Sequence, residues 1–471
     1  MRLMAVVLAA GAGTRMKSDL PKVLHPVAGL PMACWAVERA LASGADRVAV
    51  VLKHGRELVE PALASRYADN PRVVFCTQGP LDGTAGAVLA AREHFHDFAG
   101  SVAILYGDVP NLPQEVLDGL IRLHADAGCP MTLVTAHDPS PNRYGRIVRD
   151  ADGRPLRIVE FADASAEERA LQEVNVGLYL VEAAFLDRAL DRIDDSNEQQ
   201  EFYLTDLVAI AAAEGTPAAA LVAPDIAPLH GVNRRSELAR AEAWAQARLR
   251  ERWMDEGVTF LAPDSVRLEV DVQLSRDVEI AGGVSLLGRT RVGSGTRIEP
   301  GCHLRDTTVG DAVTLRAGVY AEETAIGDHC AIGPWVHLRP GTQLEEGVRI
   351  GNFVETKQAV FGPGAKASHL SYIGDADVGA GANVGAGTIT CNYDGQRKHR
   401  TVIGRGAFIG SDTQLVAPVT VGDGAYVGAG TTVTEDVPEG ALALSRCRQR
   451  NIDGWAERKR ERADNPDEPS S

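Results

Sequence analysis

Aromatic side chains are scarce: Phe, Trp and Tyr together make up 5% of the 471 residues. An interior built on aromatic packing is therefore excluded, and aliphatic residues must fill the core. Cysteine is sparse as well. The seven cysteines are odd in number and scattered, with no Cys-x-x-Cys pair. That usage argues against a disulfide framework or a cysteine zinc site and for reduced thiols in a cytoplasmic protein. Long apolar runs are missing too. Residues 3–10 are apolar, but Gly11, Arg15, Lys17 and Asp19 follow at once, so neither a signal peptide nor a membrane span is expected. Positive charge is in deficit: 48 Lys and Arg against 64 Asp and Glu leave a net charge of −16. A phosphate-backbone surface, and with it nucleic acid as the main partner, is not expected.

Glycine, by contrast, is abundant at 48 residues, and from 268 to 437 small aliphatic residues return every sixth position. Leu268, Leu274, Ile280, Leu286, Val292, Ile298 and Leu304 form one series. After a one-residue slip come Val309, Leu315 and Ala321; after another, Ile326, Ile332, Leu338, Leu344 and Ile350. The step returns at Ile403, Ile409, Leu415, Val421, Val427 and Val433. Neither a helical nor a simple strand period explains it, whereas a hexapeptide repeat does. Each six residues form a short strand and a turn, and stacked coils share an aliphatic core. The prediction is a parallel β-helix. Such a solenoid can be a scaffold, a regulatory domain or an enzyme, so chemistry is sought where the repeat fails. It fails over 357–372 and over 389–401, which reads as loops inserted into the solenoid, and inserted loops are frequent binding sites.

The chain ahead of the repeat alternates apolar runs with helical patterns. Residues 3–8, 48–52, 73–76, 102–105 and 131–135 read as buried strands, and 32–43 and 84–94 as helices. This is the pattern of a doubly wound α/β domain with a mostly parallel sheet. Ligands of such sheets bind beyond the carboxyl ends of the strands. After the first strand stands Leu8-Ala9-Ala10-Gly11-Ala12-Gly13-Thr14-Arg15, then Pro21-Lys22. The turn lacks the ending of a P-loop and the third glycine of a dinucleotide fingerprint. Its glycines allow backbone N–H groups to approach phosphate, and Arg15 and Lys22 add two cations suited to a triphosphate. After the fourth strand comes Tyr106-Gly107-Asp108. An Asp there is commonly a turn or cap residue; beside a nucleotide pocket it reads as a ligand for a divalent metal. Over 234–257, Leu238, Ala241, Ala245, Leu249 and Trp253 make a helical stripe, read as a connecting helix.

These motifs resemble those of the sugar-nucleotide pyrophosphorylases. Together with the hexapeptide tract, from Leu3 to about Arg446, they resemble the bacterial family that joins an N-acetylglucosamine-1-phosphate uridylyltransferase to a glucosamine-1-phosphate acetyltransferase. Further matches are Gln78, Gly83-Thr84, Tyr144-Gly145-Arg146-Ile147, Glu160, Asn175 and Gly231-Val232-Asn233. The resemblance implies an α/β nucleotidyltransferase domain over 1–230, a linker helix over 231–257, a left-handed parallel β-helix acetyltransferase domain over 258–447, and a partly disordered tail over 448–471. It implies that Leu8, Ala9, Ala10, Gly11, Lys22, Gln78, Gly83, Thr84, Tyr106, Gly107, Asp108, Gly145, Glu160, Asn175 and Asn233 contact UTP or the UDP-sugar. Arg15 and Lys22 would stabilise phosphate charge, and Asp108 and Asn233 would hold Mg²⁺. It makes His369 the general base of acetyl transfer. Arg339, Lys357, Tyr372 and Asn383 would hold the sugar phosphate, and Ala386, Asn392, Tyr393, Ser411, Ala429 and Arg446 the acetyl-CoA. The implied partners are small molecules (glucosamine 1-phosphate, N-acetylglucosamine 1-phosphate, UTP and acetyl-CoA) and two further copies of the chain in a homotrimer, with no membrane or nucleic acid. Gly86, Arg234 and Ser368 depart from the family pattern, which commonly has His, Asn and Gly there.

Overall fold

The computed structural model describes residues 2–445 and 449–464. The chain divides into two compact units. The first runs to Arg252 and includes Leu268–Val270; the second takes Trp253–Arg267 and the chain from Asp271 on.

In the first unit, the apolar runs become a sheet. Its strands are β1 (Leu3–Leu8), β2 (Arg47–Leu52), β3 (Val73–Thr77), β4 (Ser101–Tyr106), β5 (Met131–His137), β6 (Arg146–Arg149), β7 (Pro155–Val159), β8 (Glu173–Glu182) and β9 (Ala219–Val222). The order is β9-β5-β8-β4-β1-β2-β3, with β6 paired to β8 and β7. The pairs β1–β2, β1–β4, β2–β3 and β5–β9 are parallel, and β8 runs antiparallel to β4 and β5. Every residue of β1 is buried, as a strand covered on both faces requires. Because β2 and β4 flank β1 on opposite sides, the chain leaves β1 and β4 at a switch point. There Leu8 pairs with Tyr106, so the Gly-rich turn and Asp108 emerge side by side. The helix expected over 84–94 is two pieces, Thr84–Leu89 and Arg92–Phe95. Ala90 and Ala91 bond three residues back, to Ala87 and Val88, which tightens and ends the first turn series. The helix read at 234–257 spans Arg235–Asp255 and starts within the first unit. Among the described residues, no helix is long and apolar enough to cross a membrane.

The second unit is the parallel β-helix, made mostly of two- or three-residue strands that pair with the third strand on. Glu279 pairs with Arg297 and Ala325 with Gln343, eighteen residues along, so three hexapeptides close one coil. This three-sided hexapeptide coil is the left-handed β-helix class that the repeat predicts. All the aliphatic residues of the six-residue series are buried, from Leu268 to Val433.

One expectation fails. The stretch 357–372 is no inserted loop. It belongs to two thirteen-residue strands, Arg349–Phe361 and Lys366–Val378, paired in register from Arg349–Lys366 to Phe361–Val378. The inward step continues there as Thr356, Phe361, Ala367, Ile373, Val378, Val384 and Thr390, all buried. Two members are threonines, which hides the repeat from a search for aliphatics. Their hydroxyls are satisfied inside: Thr356 meets Thr342 at 2.9 Å, and Thr390 accepts from Gly374 N at 2.7 Å and donates to Gly374 O at 2.9 Å. The interruption at 389–401 is a real insertion. Asn383 pairs with Phe408, twenty-five residues on, and the excess folds as a small hairpin bridged at Tyr393 and Lys398.

The inward ladder predicts two stability costs. Ile373→Ala should cost roughly 2–5 kcal/mol by leaving a cavity. Thr390→Val should cost about 1–3 kcal/mol by orphaning Gly374 N–H. Urea unfolding followed by circular dichroism on each full-length variant measures both. Equal wild-type midpoints would overturn the ladder.

Candidate active sites

At the carboxyl edge of the first sheet, backbone bonds tie the expected residues to neighbouring strand ends. Ala9 N donates to Val51 O, Gln78 N to Leu52 O, and Gly107 N to Leu8 O, each at 2.9 Å. Gly13 adopts φ +63°, and a Cβ there would lie 2.6 Å from Lys22 Cβ, so the turn folds tightly onto Lys22. A Cβ on Gly11, by contrast, would face open space. The Lys22 ammonium donates to Asp108 Oδ2 at 2.5 Å and to Asn233 Oδ1 at 3.0 Å, and Arg15 donates to that same amide oxygen at 2.9 Å. The Lys22 and Asp108 side chains are only 9% and 18% exposed, which strengthens the pair relative to a surface one. Two cations thus converge on one carboxylate and one amide oxygen drawn from three distant segments. Among the described residues, no group of three or more His, Cys, Asp or Glu is arranged to hold a metal.

Asp108 and Asn233 also line a cavity of about 220 Å³ together with Tyr106, Gly145, Glu160 and Asn175. Gly145 is required there: a Cβ would lie 2.8 Å from Ile158 Cγ2 and 3.4 Å from both Glu160 carboxylate oxygens. Burial raises the Glu160 carboxyl above its ordinary range against a hydrogen bond from Thr205 at 3.2 Å, and the charges of Asp163, Asp206 and Glu201 raise it further. Asn175 is oriented by donating to Tyr179 at 2.6 Å and accepting from Gly177 N at 3.1 Å. Gln78, just past β3, and Thr84, the first residue of the next helix, are not among this cavity's lining residues, although Thr84 bonds the lining Tyr106. Gln78 donates to Leu81 O at 2.8 Å and Thr84 Oγ1 accepts from Leu204 N at 3.0 Å. The sequence reading missed Arg143, Tyr144 and Gly177 as cavity residues. Gly177 carries a legible signal only in three dimensions: φ is +81°, and a Cβ would strike the Tyr106 ring at 2.6 Å. The departure at Gly86 is explained as well. A Cβ there would lie 2.4 Å from Leu81 O, so this chain has closed the 78–86 segment over a place where a larger side chain has no room.

In the β-helix, Arg339, Lys357 and Tyr372 lie on successive coils. Arg339 N bonds Thr356 O at 2.9 Å, and Tyr372 is in register with Glu355. Arg339 pairs with Glu355 at 2.8 Å. Lys398, from the inserted hairpin, reaches Lys357, and its hydrogen bond and charge, with Arg339 behind, push the Lys357 ammonium below the ordinary lysine range against the pull of Asp375. Lys398 is a further residue to which the sequence reading gave no role. Asn392 ties the hairpin down by donating to Asp375, while Tyr393 is exposed and donates to Gly395 O at 2.6 Å. His369 is exposed, in register with Asn352, and Asn383 follows one coil on, paired with Lys366. Ala386, Ser411 and Ala429 fall at one corner of consecutive coils, where Asp412 N bonds Ala386 O at 2.7 Å and Gly430 N bonds Ser411 O at 2.8 Å. Arg446, Arg448 and residues 465–471 lie outside the described residues; within the tail expected to be partly disordered, Trp455–Asp464 is helical.

The comparisons with known proteins cover both units. The nucleotidyl transferase family matches residues 4–259, and the bacterial transferase hexapeptide family matches 323–358 and 400–435. The protein named bifunctional protein GlmU of Anaeromyxobacter sp. (strain Fw109-5) is 50% identical over 98% of this chain and 94% of its own length. The chain belongs to the GlmU family. GlmU relatives from Sorangium cellulosum and Trichlorobacter lovleyi are 50% and 46% identical, each over 97% of this chain and over 96% and 98% of their own lengths. As a GlmU-family protein, the chain is a transferase with a nucleotidyltransferase unit followed by a hexapeptide unit.

The like-charge contact in the hexapeptide unit makes a pH prediction. Lys357 loses its proton at a lower pH than an ordinary lysine, so oxyanion binding there should weaken early as the pH rises. Lys398→Ala should weaken binding near neutrality and move the remaining alkaline loss to higher pH. Calorimetric titration with glucosamine 1-phosphate across pH 7–10.5 reads this. An alkaline midpoint unmoved by the substitution would refute the coupling.

Proposed function

We propose that the two units catalyse consecutive reactions. The hexapeptide unit acetylates glucosamine 1-phosphate with acetyl-CoA. The nucleotidyltransferase unit then joins N-acetylglucosamine 1-phosphate to UTP, releasing pyrophosphate and forming UDP-N-acetylglucosamine. The observation that carries this reading is the near full-length similarity to bifunctional relatives, which spans both units at 44–50% identity.

Uridylyl transfer needs no protein nucleophile, because the attacking sugar phosphate is already an anion. Its oxygen bonds to the α-phosphorus of UTP as the bond to pyrophosphate breaks. The chain contributes positioning and charge stabilisation. Lys22 and Arg15 are the cations that meet the phosphates at the Gly-rich turn, with Gln78, Gly83 and Thr84 toward the base. Gly145, Glu160 and Asn175 hold the amino sugar in the cavity beside Asp108. The donor set fits a magnesium ion: Asp108 and Asn233 oxygens already converge on one positive charge, that of Lys22. Mg²⁺ is commonly held by one or two carboxylates and completes its shell with water and phosphate oxygens, so Asp108 and Asn233 would suffice. Bound there, it supplies neutralisation of phosphate charge.

In acetyl transfer, the sugar nitrogen attacks the thioester carbonyl, the C–N bond forms, and the C–S bond breaks to release coenzyme A. His369 takes the proton from the attacking amine; among the described residues, no hydrogen bond occupies its imidazole. Arg339, Lys357 and Lys398 bind the sugar phosphate, with Tyr372 and Asn383 on the sugar. The corner of small residues at Ala386, Ser411 and Ala429 leaves a path for acetyl-CoA beside Asn392 and Tyr393, and Arg446 extends it. The assembly is a trimer. Trp335, Phe353 and Leu370, on three consecutive coils, are 59%, 61% and 63% exposed, an apolar edge next to His369 that supports burial by a neighbouring copy. The six described cysteines are all free, which supports a cytoplasmic setting.

Separate sites predict separable losses. Asp108→Ala should abolish uridylyl transfer and spare thiol release from acetyl-CoA. His369→Ala should lower acetyl transfer by roughly 10²–10⁴ and spare uridylyl transfer. EDTA should reproduce the first pattern only. Light scattering should give about three chains per particle. A trimeric His369→Ala protein that acetylates at the wild-type rate would remove His369 from the mechanism.

A further inference from the structure

A second cavity, of about 490 Å³, adjoins the sugar cavity in the nucleotidyltransferase unit. Arg143, Arg146, Phe161 and Arg169 line it, with Asp138 as its only lining carboxylate among the described residues. Arg146 is 4% exposed. Its Nη1 donates to Asn142 Oδ1 at 2.9 Å and to Tyr144 O, and its Nη2 to Asn142 O at 3.4 Å, but its buried Nε has no partner. The Arg146 and Arg169 guanidiniums both lie against the Phe161 ring, 5.6 Å and 5.0 Å from its centroid. Among the described residues, Arg169 donates only to backbone, Phe161 O at 3.2 Å and Ala162 O at 3.3 Å. Among the described residues, no carboxylate forms an ion pair with Arg143, Arg146 or Arg169. Asp138 makes its hydrogen bonds to Ser140 and Asn142 and, although its charge remains, it forms no ion pair with the three arginines and leaves them in excess.

A buried guanidinium without a counter-charge is costly unless an anion completes it. Three guanidiniums around a cavity larger than one phosphate, with an aromatic wall, match the recognition of a phosphorylated small molecule. The wall between the two cavities is one residue thick. Gly145 and Glu160 line the sugar cavity, their neighbours Arg146 and Phe161 line the second, and Arg143 lines both. Gly145 precedes the strand Arg146–Arg149, and Glu160 and Phe161 follow the strand Pro155–Val159, so both segments that separate the cavities are strand ends. Gly145 is packed against Ile158 and Glu160 with no room for a Cβ, so a shift of residues 143–146 is felt in the sugar cavity.

We propose that this second cavity binds a small phosphorylated anion, and that its occupancy changes the affinity of the adjoining cavity for the sugar phosphate. The regulatory half rests on the uridylyltransferase reading; the binding half does not. The test uses the full-length protein and inorganic phosphate as probe, at constant ionic strength, with UTP held saturating so that the nucleotide site is occupied. Phosphorus NMR line broadening should show saturable phosphate binding. Arg169→Gln should weaken it at least tenfold and Arg169→Lys should restore part of it. Arg169 is exposed, on a four-residue helix capped by Ser165 and Glu168, so folding should survive both changes. In the wild type, saturating phosphate should shift the KM for N-acetylglucosamine 1-phosphate at least twofold, and Arg169→Gln should abolish the shift while leaving the phosphate-free rate unchanged. Equal broadening in wild type and Arg169→Gln would overturn the site. Binding lost in the variant with no KM shift in the wild type would overturn the coupling. Because the broadening needs no turnover, absence of uridylyl transfer would count against the enzymatic reading alone.

Discussion

Strands of two or three residues cannot stand alone, so the second half of the chain depends on one constraint: every coil must bond the next and bury the same inward position. Glu279 N reaches Thr296 O at 3.0 Å, and Arg297 N reaches Val313 O at 2.9 Å, a ladder that continues along the solenoid. An inward side chain every sixth residue holds the coils in register while they bond. That register decides where chemistry can occur. Outward residues of successive coils form columns, so Arg339 and Lys357 become neighbours although eighteen residues separate them. The same rule stacks Ala386, Ser411 and Ala429 at one corner of consecutive coils.

This constraint also explains what could be read from residues alone. The aliphatic series from Leu268 to Ile350 and from Ile403 to Val433 was visible because each member is apolar and buried. The stretch between them was misread because Thr356 and Thr390 are polar, and their hydroxyls find partners only in the fold. In the first unit, the strand runs were legible as buried parallel strands, as were Asp108 and the Gly-rich turn. That Leu8 pairs with Tyr106, placing them together, was not. Lys398 could not be found by spacing, since it reaches Lys357 only through a hairpin that carries no periodic signal. Gly86 shows the converse: a departure from a family pattern becomes intelligible once Leu81 O is seen to fill the space.

The two sites hold their cations in opposite ways. Lys22 is compensated internally by Asp108 and Asn233, so its charge costs little in the empty protein. Lys357 faces Lys398 and Arg339, and the strain appears as a lowered proton affinity. An anion entering there would relieve repulsion already present between Lys357 and Lys398, while Arg339 keeps its ion pair with Glu355.

The first site demands an exchange. A triphosphate that drew Lys22 away from Asp108 would leave a carboxylate facing phosphate oxygens in a place only 18% exposed. Like charges at such range in a poorly solvated site repel by several kcal/mol at an effective dielectric of about 20. On the proposed function, a counter-cation arriving with the nucleotide would remove that penalty: Asp108 and Asn233 would hold the ion, and Lys22 and Arg15 would be free to meet the phosphates. On that reading the Lys22–Asp108 ion pair would make nucleotide binding depend on a divalent cation, with phosphate oxygens and water completing the ion's shell in place of a dedicated protein cage.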